Sequence, residues 1–325
     1  ACVGLDDGEG EHPEQMIHTM GSPRMKGLED HLAVGMREEA VTLALELGTQ
    51  FAVVVDLAVH RQRQLPVSGT QRLGAAGGID DRRDLVVGAD AQERGLELLA
   101  RGDIRVAVVY HPVIFGGVKA LTMQNALQRS ILRCIAAGIH LYCPHTTLDA
   151  CHGGINDWLM AGLSHAWETC APGNLYSAVQ HATYEVIEPN DRDPSVGMGR
   201  RLVWAQPVAW STLVARTKAL LRVPYVEVAP APGVTEASAM QSLGVCAGSG
   251  SSILRQCAVD VFVTGEMGHH DLLAANARGV SVIVANHTNT ERQYLKDVLR
   301  PAMRASHPTL PVYVSEHDAD PLRVV

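Results

Sequence analysis

The sequence lacks several features that mark particular classes of protein. Its seven cysteines are odd in number and include no Cys-x-x-Cys pair, which argues against a disulfide framework and against a structural zinc knuckle. No apolar run reaches the roughly 18–20 residues that a bilayer-crossing helix requires. We therefore expect a protein of a reducing compartment that does not associate with membranes.

Positive charge is also scarce. The chain of 325 residues carries 27 Lys and Arg against 35 Asp and Glu, a formal charge of −8. An extended basic surface is hard to build from this balance, so nucleic acid is not an expected partner. We predict a cytoplasmic location. Because the chain begins with Ala rather than Met, a nuclear or mitochondrial location stays open.

The length suggests about two domains, and the pattern divides into four regions. Residues 1–83 are atypical, with acidic and Gly-rich stretches around one apolar run at 51–59 that could form a strand. Residues 84–164 predict a first α/β half, and residues 210–325 predict a second one. Residues 165–209, rich in Pro, Gly, Asn and Asp, are expected to form a connection or a small insertion.

Within the two halves, apolar strands alternate with helices of about 10–15 residues, which predicts crossover connections. The expected fold class is therefore α/β, with mostly parallel or mixed sheets flanked by helices. Expected strands lie near 104–110, 139–143, 225–229, 242–246, 259–264, 280–285 and 310–314. Expected helices lie near 91–100, 124–137, 154–164, 210–221, 269–278 and 290–304.

Three predicted strand ends carry polar side chains, and ligands bind at such ends in open parallel sheets. His111 follows one strand, His145 and Asp149 follow the next, and His287 and Glu291 follow a third. Each has a structural alternative: His111 as a turn residue, His145 bonded to backbone, and the acids as helix caps or first-turn residues. Together they form an imidazole–carboxylate set suited to Zn, Fe, Mn or Ni.

Two further strand ends have open interpretations. The turn 248–252, Gly-Ser-Gly-Ser-Ser, could hold an anion on its amides or could be a tight packing turn. The segment 264–271 carries His269 and His270, and only one of these neighbours could face a cleft if the segment is helical.

At these residues the sequence resembles the NIF-three-like family (NGG-one-interacting factor three). Bacterial members of that family often carry the label GTP cyclohydrolase I type 2 homologue. The Tyr-His-Pro-Val-Ile-Phe form of 110–115 and the Gly-Glu-Met-Gly-His-His-Asp form of 265–271 are similar to the eukaryotic branch. The matching segments are 110–115, 144–149 with 154–158, 248–252, 264–271, 287–292 and 320–325.

The resemblance implies a dinuclear metal cleft at the strand ends, with up to two ions per chain, and a homo-oligomer, commonly a ring-shaped homohexamer. Carried over by position, His111 and Asp149 are terminal ligands, Glu291 bridges the two ions and His287 binds the second. His145 matches a histidine that lines the cleft, which suits proton transfer or support of a ligand.

Two departures from the family pattern stand out. Tyr110 occupies a position where many bacterial members have His, which predicts a weaker second ion. Residues 1–83 contain no Trp-Asp-Asn-Val-Gly segment, so the resemblance says little about this region.

The leading functional hypothesis is a metal-dependent hydrolase of a nucleotide or a phosphorylated small molecule. The alternative is a non-catalytic metal-binding protein, either a transcription co-regulator with protein partners or a metal carrier. GTP cyclohydrolase chemistry ranks last, because it usually needs Cys and His ligands to zinc and no cysteine is among the expected ligands.

Overall fold

In the computed structural model, the described residues are 53–55 and 84–88, as strand backbone, and 104–164, 184–315 and 318–322. The strand expected within 51–59 is present at Val53–Val55. The rest of the atypical region 1–83, apart from this strand, and the helix expected at 91–100 lie outside the described residues. The same is true of residues 165–183 in the expected connection.

Most of the expected elements are present with small shifts at their ends. The strands are β1 (Val53–Val55), β2 (Asp84–Gly88), β3 (Ile104–Val109), β4 (His140–Cys143), β5 (Glu185–Pro189), β6 (Gly197–Ala209), β7 (Glu227–Ala229), β8 (Ala239–Ser249), β9 (Val261–Glu266), β10 (Ser281–Val284) and β11 (Val312–Val314). The helices are α1 (Ala126–Ala137), α2 (Thr146–Ala150), α3 (Ile155–Leu163), α4 (Trp210–Leu221), α5 (Ser251–Leu254), α6 (His269–Ala277), α7 (Asn289–Tyr294) and α8 (Arg300–Ser306), with a π-helical turn at Leu295–Leu299.

Local signals explain individual boundaries. Helix α1 begins after Asn125, whose side chain accepts a hydrogen bond from the Gln128 amide. It ends at Gly138, whose φ of 67° is the left-handed conformation that glycine adopts at low cost. The helix expected over 290–304 is instead two α-helices joined by the π-helical turn, which is a local irregularity that hydrophobic periodicity does not encode.

The strands form two mixed sheets, as the fold class predicts. The first has the order β1-β4-β3-β2-β11, and the second β5-β6-β8-β9-β10-β7. Strands β4, β3, β2 and β11 run parallel to one another, and so do β8, β9 and β10. Strand β7 pairs antiparallel with β10, and β6 pairs antiparallel with β8. Strand β1 pairs antiparallel with β4.

Two features of the sheets do not follow the expected division of the chain into regions. Strands β5 and β6 lie within 165–209, so the described part of that region completes the second sheet with an antiparallel pair. Strand β11, near the end of the chain, returns to the first sheet beside β2. Each sheet therefore contains strands from distant parts of the chain. The expected division into two halves stays a prediction.

Helix α3 lies in the core between the sheets, and all nine of its residues are buried. One apolar cluster contains Val108 and Tyr142 from the first sheet and Val245 and Ile283 from the second. Removing this continuous apolar surface from water is the main force that holds the sheets together. The ends of β3 and β10 lie beside each other, since Nε2 of His111 and Nε2 of His287 are 3.3 Å apart, and we call the space at these strand ends the cleft.

None of the helices in the described part of the chain combines the length and the apolar character of a membrane span.

Candidate metal centre

Three of the predicted ligands meet at the shared cleft. His111 follows β3 of the first sheet, while His287 and Glu291 follow β10 of the second. One ligand atom from each lies within 4.8 Å of the others. The chain thus brings a nitrogen–nitrogen–oxygen set together from positions about 180 residues apart, and this group could hold a metal ion.

Glu291 stands between the two histidines. Its Oε1 lies 3.3 Å from Nε2 of His287, and its Oε2 lies 3.4 Å from Nε2 of His111. The two Nε2 atoms are 3.3 Å apart. The Glu291 residue is only 1% exposed. A buried carboxylate with one oxygen toward each imidazole is costly to desolvate, so it needs a compensating positive charge.

His287 has a proton in this environment. Hydrogen bonding to Glu291, and further to Glu266, raises the pKa of His287 to about 9. A divalent ion at this place would replace that proton, because a coordinating imidazole nitrogen must be deprotonated.

Asp149, the fourth predicted ligand, lies beside this group but outside the 4.8 Å cluster. It is 4% exposed, and burial raises its pKa to about 7. Its Oδ2 accepts a 2.6 Å hydrogen bond from the Tyr110 hydroxyl. Its buried Oδ1 has no hydrogen-bond partner among the described residues. This oxygen is therefore available as an electron-pair donor to a cation.

The Tyr110 hydroxyl is held in its hydrogen bond to Asp149. Burial, and then the nearby charges of Asp149 and Glu291, raise the pKa of Tyr110 well above its usual value. The phenol therefore stays protonated and donates to the carboxylate. At the position where many bacterial relatives were expected to have a histidine, this chain has a group that holds Asp149 instead.

His145 has an unusual backbone conformation, with φ 45° and ψ −133°. A side chain other than glycine rarely adopts it, and such strain concentrates at functional sites. The His145 ring lies 5.8 Å from the rings of both Tyr110 and His111. Burial, and then the neighbouring His111 and His287, lower the pKa of His145, so its imidazole is neutral near pH 7.

The Gly-Ser turn at 248–252 lies directly against the candidate ligands Glu291 and His287. The amide of Gly248 donates to Thr290 Oγ1, and the amide of Gly250 donates to Thr264 Oγ1. A Cβ on Gly248 would lie 2.9 Å from Glu291 Oε1 and from His287 Nε2. With two amides already used inside the protein, the packing interpretation of this turn is favoured over the anion-binding one.

Comparison with known proteins identifies the family of the chain. The family model described as Duf34/NIF3 (NGG1p interacting factor 3) matches residues 72–321, which is most of the chain. The chain belongs to this family. The resemblance inferred from the six segments, including its eukaryotic character, is thereby confirmed.

Similar family members come from yeasts and mammals. The NIF3 homolog of Schizosaccharomyces pombe is 40% identical over 219 residues, covering 66% of this chain and 74% of that protein. NGG1-interacting factor 3 of Saccharomyces cerevisiae is 38% identical over 224 residues, covering 67% and 74%. Human NIF3-like protein 1 is 28% identical over 306 residues, covering 73% and 81%.

Solved structures support the fold of this Duf34/NIF3 protein. Reduced HcgD from Methanocaldococcus jannaschii superposes with a TM-score of 0.58 at 19% identity, covering 86% of this chain and 98% of that chain. The Bacillus cereus protein related to NIF3 gives a TM-score of 0.57 at 18% identity, covering 75% and 89%.

Sequence reasoning missed two supports of the ligands in this family member. Glu266, at the end of β9, places Oε2 3.0 Å from Nδ1 of His287, so Nε2 of that ring faces the cleft. The signal was available, because β9 runs parallel to its neighbours and its polar end must lie at the same edge. The neighbouring His269 and His270 are exposed and lie outside the cluster.

The second missed support is the C-terminal segment. Arg292, one residue after Glu291, pairs with Asp318 at 3.1 Å, and Thr288, next to His287, donates to Asp320. The segment at 320–325 was recognised only as a matching motif. The structure shows that Asp320 of this segment is hydrogen-bonded to Thr288, between the candidate ligands His287 and Glu291.

Proposed function

We propose that this protein binds two divalent metal ions and acts as a metal-dependent hydrolase on a nucleotide or a phosphorylated small molecule. The observation that carries the proposal is the position of Glu291, with one buried oxygen toward His111 and the other toward His287. A carboxylate placed in this way suits a bridge between two ions.

The remaining donors complete the ligand set. Asp149 offers its unpartnered Oδ1, and His111 and His287 offer Nε2. Nitrogen and oxygen donors without cysteine suit Zn, Fe, Mn or Ni. Two such ions supply Lewis-acid chemistry, because they polarise a phosphoryl or carbonyl oxygen and make water a better nucleophile.

The chain itself supplies a group for proton transfer. His145 is neutral near pH 7, since its pKa is lowered, and a neutral imidazole can accept a proton. Its ring borders His111, so it faces the place where a reacting group would meet the ions. In our proposal His145 accepts the proton of the attacking water and returns it to the leaving group.

The first test is the metal content of protein purified without chelator or nickel resin. We expect about two ions per chain, and their loss in Glu291→Ala. His111→Ala and Asp149→Ala should each lose at least one ion. Glu188→Ala, an exposed acid on β5, is the control and should keep both.

The second test is turnover. With added Mn or Zn, the protein should hydrolyse a generic phosphomonoester or phosphodiester, and Glu291→Ala should abolish this activity. Metal-independent hydrolysis that survives in Glu291→Ala would contradict the proposal.

A second candidate is a non-catalytic metal-binding interaction protein, such as a transcription co-regulator or a metal carrier. The name of the budding-yeast relative, NGG1-interacting factor 3, favours it. It predicts stoichiometric metal without turnover and a stable protein partner in native pull-downs. Both candidate functions are compatible with the expected homo-oligomer, which the resemblance implies is a hexamer. Light scattering of the purified protein tests the oligomeric state.

A further inference from the structure

Phe115 is the most exposed of the large apolar side chains in the described residues. Its exposed fraction is 86%. It lies in the stretch that follows β3, four residues after His111. Residues 115–127, which we call the mouth segment, are exposed except for Leu121, and Val118, Met123 and Leu127 add further apolar surface.

The space around the Phe115 ring is open. A Cβ added to Gly116 or Gly117 would meet no atom within 4 Å. The ring meets His145 edge-on, with centroids 6.2 Å apart and planes at 88°. At 86% exposure, most of the Phe115 ring surface is open to a flat partner.

Phe115 is connected to the candidate metal centre by a row of rings. His145 lies between Phe115 and His111, and the His145 and His111 centroids are 5.8 Å apart. A molecule lying along this row could place one end on the Phe115 ring and the other at the metal-site residues.

The charge of this part of the chain favours an anion. No Asp or Glu occurs between Asp103 and Asp149, although the whole chain carries a charge of −8. The same stretch contains four basic residues: Arg105, Lys119, Arg129 and Arg133. Within the mouth segment itself Lys119 is the one charged residue, and a positive charge without neighbouring acids favours negatively charged ligands.

We propose that Phe115 is a stacking platform for the planar ring of the substrate, and that the substrate class is the nucleoside monophosphates. The base lies on Phe115, the sugar passes His145, and the phosphoryl group reaches the metal centre. This proposal rests on the proposed function, because it places the phosphoryl group at the metal ions. Base–aromatic stacking tolerates different bases, so we expect little discrimination among them.

The experiment measures binding to zinc-loaded protein by isothermal titration calorimetry, with adenosine 5′-monophosphate and ribose 5-phosphate as probes. Both carry the ribose 5-phosphate group, and the nucleotide has the base at C1 where the sugar phosphate has a hydroxyl. We expect the nucleotide to bind about tenfold more tightly. In Phe115→Ala this ratio should fall to about one, and in Phe115→Trp it should be restored.

Two controls make the result specific. Tyr225→Ala removes another exposed aromatic ring, 61% exposed and outside the mouth segment, and should keep the tenfold ratio. Zinc content is measured in every variant and should equal that of the unmodified protein. Phosphate release is followed in the same samples, so that hydrolysis is not mistaken for weak binding.

Each other outcome overturns the proposal. If Phe115→Ala keeps the ratio, the ring is not the platform. If zinc binds but the two probes bind equally, the proposed substrate class is wrong, while the proposed metal site is not contradicted. If the unmodified protein binds no metal, the proposed function fails and this proposal with it. If Phe115→Ala changes the oligomeric mass in light scattering, the ring contacts a second copy of the chain instead.

Discussion

The two sides of the cleft are built in opposite ways. The floor consists of β8, β9, β10 and the start of α7, where β10 is entirely buried and β9 is buried up to its last residue. Glu291 and Gly248 belong to it. The mouth segment, 115–127, is mostly exposed and apolar at several positions. One side is surrounded by packed neighbours, and the other faces solvent.

The difference matches two different tasks. Metal ligands must be held within a fraction of an ångström, which requires side chains locked by packing and hydrogen bonds. A surface that receives a substrate must be open before binding, and such surfaces lie in the less stable parts of a fold. The comparison therefore predicts that changes in the floor affect stability and metal binding, while changes in the mouth segment affect ligand binding alone.

The largest expected effect on stability comes from removing the buried ion pair that supports the floor. Arg200 on β6 is buried, pairs with Asp157 of α3 at 2.5 Å, and donates to the carbonyls of Gly197, Gly199 and Ala150. Arg200→Met leaves Asp157 buried without its cation, which should lower the free energy of unfolding by about 3–5 kcal/mol. Urea denaturation measures the loss.

The neighbouring residue provides the control. Arg201 pairs with Glu185 on the surface at 3.2 Å, with both side chains partly or largely exposed. Arg201→Met should cost at most about 1 kcal/mol. Equal losses in the two variants would show that the floor does not depend on its buried ion pair.

Gly248→Ala tests the floor at the ligands themselves. The new Cβ would lie 2.9 Å from both Glu291 Oε1 and His287 Nε2, and Gly248 has a φ of 60°. We expect a folded protein whose metal affinity is at least about tenfold weaker. Metal content and competition with a chelator measure it.

Gly279→Ala is the matched control for backbone strain. Gly279 also has a positive φ, 80°, but a Cβ there would meet nothing within 4 Å. Both variants carry a conformational cost of roughly 1–2 kcal/mol. Unchanged metal affinity in Gly248→Ala would contradict the assignment of the floor.

Whether a feature of the fold or the site could be predicted depends on whether its physical cause leaves a pattern in the sequence. His111, His287 and Glu291 were predictable because parallel strands place their carboxyl ends at one edge, whatever their separation in sequence. Strand β6 was missed because Gly197, Gly199 and Pro207 interrupt its apolar pattern, as Gly and Pro do in strands with bulges or edges. Strand β5 was missed because it is short and has only two apolar residues between its acids, Val186 and Ile187.

Two other features were beyond sequence reasoning for a different reason. The hydrogen bond from Tyr110 to Asp149 depends on which way two side chains point across a cleft. The return of β11 to the first sheet depends on pairing over more than 200 residues. Neither leaves a periodic pattern in the sequence.

Tyr110→Phe is expected to have a smaller effect, seen mainly in the metal-free protein. Without the hydroxyl, the buried Asp149 carboxyl loses its 2.6 Å hydrogen bond, which should cost about 1–3 kcal/mol in the free energy of unfolding. Bound metal should reduce the loss, because a cation then balances the carboxylate. A double-mutant cycle with Asp149→Asn checks the cause. Additive losses in the two variants would mean that Tyr110 acts elsewhere.

Glu266→Gln should have the smallest effect, because this side chain is half-exposed at the rim of the floor. The carboxylate orients His287 through Nδ1 at 3.0 Å, and loss of such a support weakens metal binding by about tenfold or somewhat more. Asp271→Asn, which alters an acid paired with Arg255 in the same motif, is the control and should leave metal affinity unchanged. If both variants weaken binding equally, the effect comes from the general charge of the rim. In that case the contact between Glu266 and His287 plays no part in holding the ion.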